Sequence, residues 1–490
     1  MMGAVRQVVI ASVAAVIVGV LDAALVVFGI AGAGGSFQYV PQRIWLMGPV
    51  AWSVVAVLAS VVILAFTRKR AGYGVAVVLC VALAAIRLRA HPVLLVSLAA
   101  APSPASSVVV SQQLASGPNV IVIFLDTVRY DALFDVEGRV HADLPTLSRL
   151  RAESLVFTRA YATSPWTLPS HLSAVTGLPP HELGVSFDAQ RYERQTETLA
   201  ERFRRRGYRT AAVISNSFLN AGSGFERGFD TFQQAKAGLD LCRIGPALIA
   251  DRHWPWFAAS VCNWTAGEVT DRARTLMHDD QGPFFLTLNY MDAHDPYYVE
   301  RGCDGTPGYA AAIRCLDRHL APIVDWRSSF RPTVLAVVGD HGEQFGEHGL
   351  QRHGNSLYVQ LLHVPFMLRP ATDASGRTVP GPLSIAALPA LLDDANRTEW
   401  AEPVLSVLHP PAADLTPSEW SALDGTWHLI VRERGADALY HLPTDQAEER
   451  NLIAVAPPDP GIARLRAAIR AMQRSPKPEL RRFRSLGYVH

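Results

Sequence analysis

Thr167 is the residue whose type and surroundings most clearly indicate chemistry, in the segment SPWTLPSHLSAVTGLPPHELGV at 164–185. Pro169 follows it closely, and because proline is tolerated in the first turn of a helix, we predict that a helix begins near Thr167. The free N–H groups and the dipole at a helix N-terminus stabilise an alkoxide or a tetrahedral ester group. A threonine there is also a common helix cap, so this segment alone leaves both a nucleophile and a cap open.

Three further motifs carry residue types that bind metal ions or anions. Asp126 lies in LDTVRYDAL (125–133), and Asp340 and His341 are adjacent in GDHGEQFGEHG (339–349), which His353 follows. An aspartate next to a histidine offers one oxygen and one nitrogen ligand, which suits Zn²⁺, Mn²⁺ or Mg²⁺, and carboxylates also bind Ca²⁺. His294, in MDAHDPYY (291–298), could contact a substrate oxyanion or a second metal ion. The structural alternatives are a turn-capping aspartate, a polar surface loop and an ordinary histidine.

Four apolar runs predict the buried parallel strands that would position these motifs: NVIVIFLD (119–126), TAAVISN (210–216), FFLTLNYMD (284–292) and VLAVVGD (334–340). Helical patterns such as 194–206 lie between them. This alternation predicts an α/β fold with a doubly wound, mostly parallel sheet flanked by helices.

The candidate residues follow the ends of these strands. Three of the four runs end beside polar residues: Asp126, then Asp292 and His294, then Asp340 and His341. Because ligands of open α/β sheets bind outside the carboxyl ends of the strands, we expect these residues to form one site. The strand pattern weakens after about residue 370, where WHLIVRE and ALYHL indicate antiparallel strands and a helix is predicted over about 460–473. We therefore divide the soluble part into a core at 118–370 and a C-terminal α+β part at 371–490.

The first hundred residues indicate a membrane region, at 1–101. Apolar runs at 8–30 and 45–66 are long enough to cross a bilayer, and a third, interrupted run lies at 72–90. Arg68, Lys69 and Arg70 place the loop before the third span in the cytoplasm by the positive-inside rule. The linker at 102–117 and the domain after it are therefore expected on the extracytoplasmic side of a multi-pass membrane protein.

The net charge and the cysteines bear on the possible partners and on the compartment of the protein. The net charge is +1, which gives no indication of a nucleic-acid partner. The cysteines Cys242, Cys262, Cys303 and Cys315 form two sequence-local pairs without CxxC spacing, which favours two disulfides over metal binding and suits an oxidising compartment. Asp22 lies within the first span, where a helix–helix hydrogen bond and a functional carboxylate are both open.

Together these motifs resemble the sulfatase family of the alkaline-phosphatase superfamily, over about residues 118–490. The resemblance also covers segments outside the candidate site, in order along the chain: LPTLSRLRAESLVFTRAYATSPWTLPSH, GYRTAAVISNSFL, GFERGFDTF, HGNSLYVQLLHVPFML, LYHLPTDQAEERNL and the terminal LGYV. It implies a metal-dependent ester hydrolase or transferase of alkaline-phosphatase-like fold. It also implies roles: Thr167 as the nucleophile, Asp126, Thr167, Asp340 and His341 as ligands of one divalent ion, and His294 and His353 as contacts of the transferred group.

The chain departs from the sulfatase pattern at the nucleophile. Sulfatases use a cysteine or serine that is converted to formylglycine, whereas Thr167 cannot be oxidised to that aldehyde. His171 stands where sulfatases place an arginine, Thr127 replaces a second metal-binding aspartate, and Ser215-Asn216-Ser217 lacks the lysine and histidine of the GKWH type. Threonine nucleophiles occur in relatives that act on phosphodiesters or transfer phosphoglycerol or phosphoethanolamine groups, several of which have N-terminal membrane helices.

Three functions remain as hypotheses. The first is a membrane-anchored hydrolase or transferase that cleaves phosphate diesters or monoesters through a covalent Thr167 intermediate, with lipid head groups or envelope glycans as candidate substrates. The second is a sulfuric ester hydrolase that works without formylglycine. The third is an inactive, tethered binding protein, against which the joint presence of all the implied site residues argues. A second metal ion, bound through Asp292, His294 or His353, is left open.

Overall fold

The computed structural model describes residues 117–187, 189–235, 263–278, 280–297, 299–300, 303, 308–372, 375–397, 400, 403–409 and 417–474. All of these lie within the unit formed by Ser111–Gly238 and Pro255–His490. The predicted membrane spans at 8–30, 45–66 and 72–90, most of the linker and the Cys242–Cys262 pair fall outside the described residues. Among the helices that are described, none has both the length and the hydropathy needed to span a bilayer.

A mixed sheet forms the centre of the described part. Its strands are β1 Asn119–Leu125, β2 Leu155–Tyr161, β3 Arg209–Ile214, β4 Thr231–Gln234, β5 Phe284–Tyr290, β6 Thr333–Gly339, β9 His363–Val364, β10 Phe366–Arg369 and β11 Arg377–Ser384. They lie in the order β11-β2-β10-β6-β1-β5-β3-β4, with β9 paired to β2. Strands β6, β1, β5, β3 and β4 run parallel to one another, and β11 runs parallel to β2, whereas β10 is antiparallel to both β6 and β2 and β9 is antiparallel to β2. The predicted α/β class with a mostly parallel sheet is confirmed.

Strand β1 lies in the middle of this sheet and is buried along its whole length. Its apolar side chains meet helices that cover the sheet, and Ile121 and Ile123 share a core cluster with Leu316 of the long helix Tyr309–Val324. Burying one such isoleucine side chain stabilises the fold by about 1.5–3 kcal/mol. The other helices of this region are Pro145–Ala152, Thr167–Thr176, Leu199–Arg205, Ala266–Leu276, Val359–Leu362 and Leu388–Asp393.

The helix predicted over 194–206 begins later than its pattern indicated, at Leu199. Thr198 caps it: the Thr198 Oγ1 accepts from the Glu201 N–H at 3.2 Å, and the Thr198 N–H donates to Glu201 Oε2 at 2.9 Å. This capping box satisfies two N–H groups reciprocally and fixes the helix start. The residues before Thr198 therefore stay outside the helix.

A second, antiparallel sheet follows, made of β12 (Val404–Leu408), β13 (Glu419–Leu423), β14 (Trp427–Arg432) and β15 (Ala438–His441). The helix Pro460–Arg474 packs on it, with Leu465 and Ile469 in one apolar cluster with Leu429. These elements match the antiparallel strands and the helix that the C-terminal sequence indicated. The large sheet continues past residue 370, because β11 pairs with β2.

One of the two predicted disulfides falls in the described part and is present. Cys303 and Cys315 are joined, with a sequence separation of 12. Cys315 lies on the helix Tyr309–Val324, so the bond ties the segment before that helix to the helix itself.

Candidate active site

The two candidate metal-binding carboxylates follow neighbouring strands at the same edge of the sheet. Strand β1 ends at Leu125 and β6 at Gly339, and these two residues are partners in the parallel register. Asp126 and Asp340 therefore emerge side by side, with His341 next in the chain. Ligand atoms of these three side chains all lie within 4.8 Å of one another, and each residue is fully buried.

One oxygen of each carboxylate is held by hydrogen bonds. Asp126 Oδ2 accepts from Asn216 Nδ2 at 2.7 Å, and Asp340 Oδ1 accepts from the backbone N–H groups of Thr127 at 3.1 Å and His341 at 2.7 Å. The other two oxygens, Asp126 Oδ1 and Asp340 Oδ2, are buried without a hydrogen-bond partner. Unpaired buried carboxylate oxygens are costly, so their position beside each other is the feature that a bound cation would explain.

His341 completes a donor set that suits a divalent ion. Its Nδ1 donates to the Gly342 carbonyl at 3.1 Å, which directs Nε2 toward the carboxylates, 3.3 Å from Asp340 Oδ2 and 3.8 Å from Asp126 Oδ1. Burial lowers the pKa of His341 well below its ordinary value, so the ring is neutral and can act as a ligand. Burial and the charge of Asp126 raise the pKa of Asp340. Two oxygens and one nitrogen fit Zn²⁺ or Mn²⁺, and Mg²⁺ as well.

Thr167 brings its hydroxyl to this group. It is the first residue of the helix Thr167–Thr176, and its Oγ1 accepts from Asn216 Nδ2 at 3.1 Å and lies 3.5 Å from His341 Nε2. Ser170, in the first turn of the same helix, donates from Oγ to the Asp340 carbonyl at 2.5 Å. The helix start is thus joined directly to the loop that carries two of the candidate ligands.

His171 lies one turn after Thr167 in the same helix. Its Nδ1 donates to the Thr167 carbonyl at 2.9 Å and lies 3.3 Å from Asp340 Oδ2, and its Nε2 is 3.4 Å from Asn289 Nδ2. Burial lowers the pKa of His171 to about 3, so the imidazole is neutral. Its polar contacts are therefore with a backbone carbonyl, an amide and a candidate metal ligand.

His294 and His353 lie on the other side of His341. The rings of His294 and His353 are 4.8 Å apart, and the ring of His353 is 4.6 Å from that of His341. The Nδ1 of His294 donates to the Asp295 carbonyl at 2.7 Å, and the Nδ1 of His353 donates to Glu343 Oε1 at 3.0 Å. The structure thus gathers all seven predicted site residues around one point.

Asp292 was a candidate ligand of a second ion, but its side chain contacts the start of a helix. Its Oδ1 accepts from the Ala266 N–H at 2.9 Å, at the start of the helix Ala266–Leu276, so the side chain caps that helix. Burial raises the pKa of Asp292 to about 7. His294 and His353 remain as the candidate ligands if a second ion binds.

Three buried residues of the site were not predicted from the sequence: Asn216, Asn289 and Glu343. Asn216 follows β3 at the same edge of the sheet as Asp126 and Asp340, and that placement is a signal that could have identified it. Asn289 lies inside β5, where its Oδ1 accepts from the Asn216 N–H at 2.8 Å. Neither its position in a buried strand nor that of Glu343 in a polar loop gave any signal.

Comparisons with known proteins agree with the fold. Solved structures with the same fold include a phosphonate monoester hydrolase of Agrobacterium radiobacter, at 17% identity, with a TM-score of 0.57 over 73% of this chain and 95% of that one. A protein of the alkaline phosphatase superfamily from Vibrio parahaemolyticus has 16% identity and a TM-score of 0.53, over 74% of this chain and 88% of that one. The sulfatase family model matches residues 118–394, and the chain belongs to the sulfatase family.

Curated relatives match this chain over part of their length. An ulvan-active sulfatase of Formosa agariphila is 22% identical over 324 residues, 57% of this chain and 62% of that protein. An N-acetylgalactosamine-6-sulfatase of Mus musculus is 23% identical over 269 residues, 46% of this chain and 50% of that protein. The chain spans about half the length of the curated relatives that it matches.

Proposed function

We propose that the protein is a metal-dependent phosphoester hydrolase or phosphotransferase that works through a covalent intermediate on Thr167. The observation that carries this proposal is the position of the Thr167 hydroxyl. It contacts Asn216 Nδ2 and lies beside His341 Nε2, next to two buried carboxylate oxygens that have no hydrogen-bond partner. A cation held by Asp126, Asp340, His341 and Thr167 would lower the pKa of the hydroxyl and offset the charge of the transferred group.

The residues around Thr167 have distinct tasks in this reaction. The Thr167 oxygen attacks phosphorus, and the bond to the leaving oxygen breaks. The N-terminus of the helix Thr167–Thr176 and the amide of Asn216 stabilise the charged oxygens of the transferred group. His294 and His353 are placed to stabilise that charge or to move the proton of the leaving oxygen. Water or an acceptor hydroxyl then cleaves the Thr167 ester.

The charge of the pocket favours a phosphodiester over a phosphomonoester. His171 stands where the sulfatase pattern has an arginine, and Ser215-Asn216-Ser217 lacks the lysine and histidine of the GKWH type. The His171 ring and the Asn216 amide that line the site are both neutral. Arg129, nearby on the loop after β1, is paired with Asp131 and Glu347 at 2.6 Å each, and Arg352 is paired with Asp295 at 2.9 Å. Fewer positive charges offset less negative charge, and a diester carries one charge where a monoester carries up to two.

A sulfuric ester hydrolase is the second candidate, favoured by family membership and by the names of the curated relatives. A sulfate ester also carries one negative charge, so charge does not separate it from a phosphodiester. The side chain of residue 167 does, because a threonine cannot supply the aldehyde hydrate that formylglycine enzymes use. Sulfate transfer would leave a threonine sulfate ester that must be cleaved by direct attack on sulfur.

We also propose that the domain is anchored in a membrane and faces the extracytoplasmic side. The apolar runs at 8–30, 45–66 and 72–90 and the basic loop at 68–70 support this placement. A lipid head group or an envelope glycan is then a substrate within reach. Protease digestion of intact and permeabilised cells tests the placement, and protection of the domain in intact spheroplasts would reject it.

A substrate panel tests the proposed activity. We expect the purified full-length chain to cleave nitrophenyl phosphodiesters or phosphonate monoesters faster than the matching phosphomonoester and sulfate ester. Peptide mass spectrometry of the quenched reaction is expected to find a phosphoryl group on Thr167. A preference for the sulfate ester would support the second candidate instead.

Substitution of Asn216 by alanine is expected to lower kcat about 100-fold, the usual loss when one donor to the reacting oxygens is removed. Thr167 would lose the donor at 3.1 Å, and Asp126 Oδ2 would retain only Asn289 Nδ2 at 3.4 Å. Steady-state kinetics measures the effect. Asn220→Ala is the matched control, since that amide only donates to the Ser217 carbonyl at 2.9 Å and should leave kcat unchanged. Equal rates for both variants would remove Asn216 from the site.

A further inference from the structure

Glu343 is a buried carboxylate that the steps above do not use. It lies three residues after Asp340 and is fully buried. Its Oε1 accepts from His353 Nδ1 at 3.0 Å, and no hydrogen bond reaches its Oε2. Because burying a carboxylate is costly, its partner in the fold needs an explanation. The side chain of Tyr297 also interacts with this carboxylate.

A small β-hairpin brings Glu343 and His353 together. Glu343 comes directly before β7 (Gln344–Phe345), and His353 comes directly after β8 (Gln351–Arg352). Gln344 and Arg352 are partners in the antiparallel register, so the residues flanking them must face each other. The hairpin therefore holds the carboxylate of Glu343 against the ring of His353.

The contact decides which nitrogen of His353 can react. With Nδ1 donating to Glu343, Nε2 is the ring nitrogen left for the reactants, on a ring 4.6 Å from that of His341 and 4.8 Å from that of His294. The orientation of the ring thus places Nε2 for proton transfer to or from the reactants.

We propose that Glu343 is a positioning residue that makes His353 the proton carrier of the reaction, an inference that rests on the proposed function. In the first half-reaction the Thr167 oxygen, as the alkoxide, forms its bond to phosphorus. The bond to the leaving oxygen breaks, and that oxygen takes the proton from His353 Nε2. In the second half, the acceptor oxygen attacks phosphorus, its proton passes to Nε2, and the Thr167 oxygen leaves as the alkoxide. The cycle restores both groups.

Leaving groups that differ in their need for a proton test this assignment. Nitrophenolate departs without protonation, whereas an alkyl alkoxide requires it. We expect Glu343→Ala to lower kcat on an alkyl phosphodiester about 100-fold, within the usual range for acid–base catalysis, and to lower kcat on the nitrophenyl diester less than about tenfold. Glu343→Gln keeps an oxygen that can accept from His353 Nδ1, so its loss of kcat should lie between those of wild type and alanine.

Glu347→Gln is the matched control. This carboxylate lies in the same loop, but it is partly exposed and pairs with Arg129 at 2.6 Å. Its substitution should change both rates by the same small factor. The bound metal of each variant is measured as well, so that any loss of the ion is separated from loss of proton transfer.

A double-mutant cycle measures whether Glu343 acts through His353. If Glu343 acts through His353, then the Glu343→Ala/His353→Ala double variant should be no slower on the alkyl diester than His353→Ala alone. Additive losses, or equal losses on both leaving groups, would overturn the inference and leave the proposed function intact. An unchanged rate in Thr167→Ala would instead reject the proposed function itself.

Discussion

Thr167→Ala is expected to lose turnover by roughly 10³-fold or more on every substrate that the wild-type chain cleaves, because removal of a nucleophile eliminates the covalent route. Thr167→Ser keeps a hydroxyl on the same carbon of the same helix turn and should retain kcat within about tenfold, since the attack itself is unchanged. Steady-state kinetics with the preferred ester of the panel gives both values.

The controls for this pair come from the same helix. Thr176→Ala removes a hydroxyl that donates to the Leu172 carbonyl at the far end of the helix, and it should not alter kcat. Mass spectrometry should find the phosphoryl adduct in Thr167→Ser and wild type but not in Thr167→Ala. Residual activity of Thr167→Ala above about a tenth of wild type would show that another group attacks.

Asp340→Asn is expected to abolish metal binding and activity while making the metal-free protein more stable. In that protein Asp340 is buried beside Asp126, and burial and this charge raise the pKa of Asp340. A carboxyl whose folded-state pKa is raised stabilises the fold at low pH and loses that contribution as the pH rises through the folded value. At neutral pH the metal-free wild type therefore carries a penalty that asparagine removes.

Thermal unfolding with and without added divalent ion checks this expectation. An ion at a hundred times its Kd stabilises the wild type by about 2.7 kcal/mol, and Asp340→Asn should show no such response. Asparagine can still accept the Thr127 and His341 N–H groups, so folding is preserved. Asp325→Asn, at an exposed carboxylate paired with Arg149 at 2.9 Å, should behave as wild type. A metal response in Asp340→Asn equal to that of wild type would contradict the assigned ligand.

The strand ends made the positions of the candidate metal ligands predictable from the sequence. Asp126 and Asp340 each follow a continuous apolar run, and neighbouring parallel strands must deliver their next residues to the same edge. The helix start at Thr167 was equally visible, because Pro169 limits where the first turn can lie. Both features can be read from the local sequence, the strands from their continuous apolar runs and the helix start from the position of the proline.

The supporting polar residues were not predictable, because their roles depend on tertiary contacts. Glu343 meets His353 only because a hairpin folds between them, and Asn289 lies within a buried, mostly apolar strand. His171 is the right type for a substrate contact, but its Nδ1 donates to a carbonyl four residues back along the helix. The direction of the His171 side chain within its helix determines this contact, and the spacing of residues in the sequence does not predict it.

The register of β1 against β6 has a consequence for how this protein can change over evolution. Both carboxylates follow two neighbouring central strands, β1 and β6, whereas His294 and His353 lie in loops. Variation in those loops can alter which substrate is accepted without disturbing the candidate metal ligands Asp126 and Asp340. The same arrangement makes the two strands intolerant of change, since any shift in their pairing would separate the carboxylates of Asp126 and Asp340.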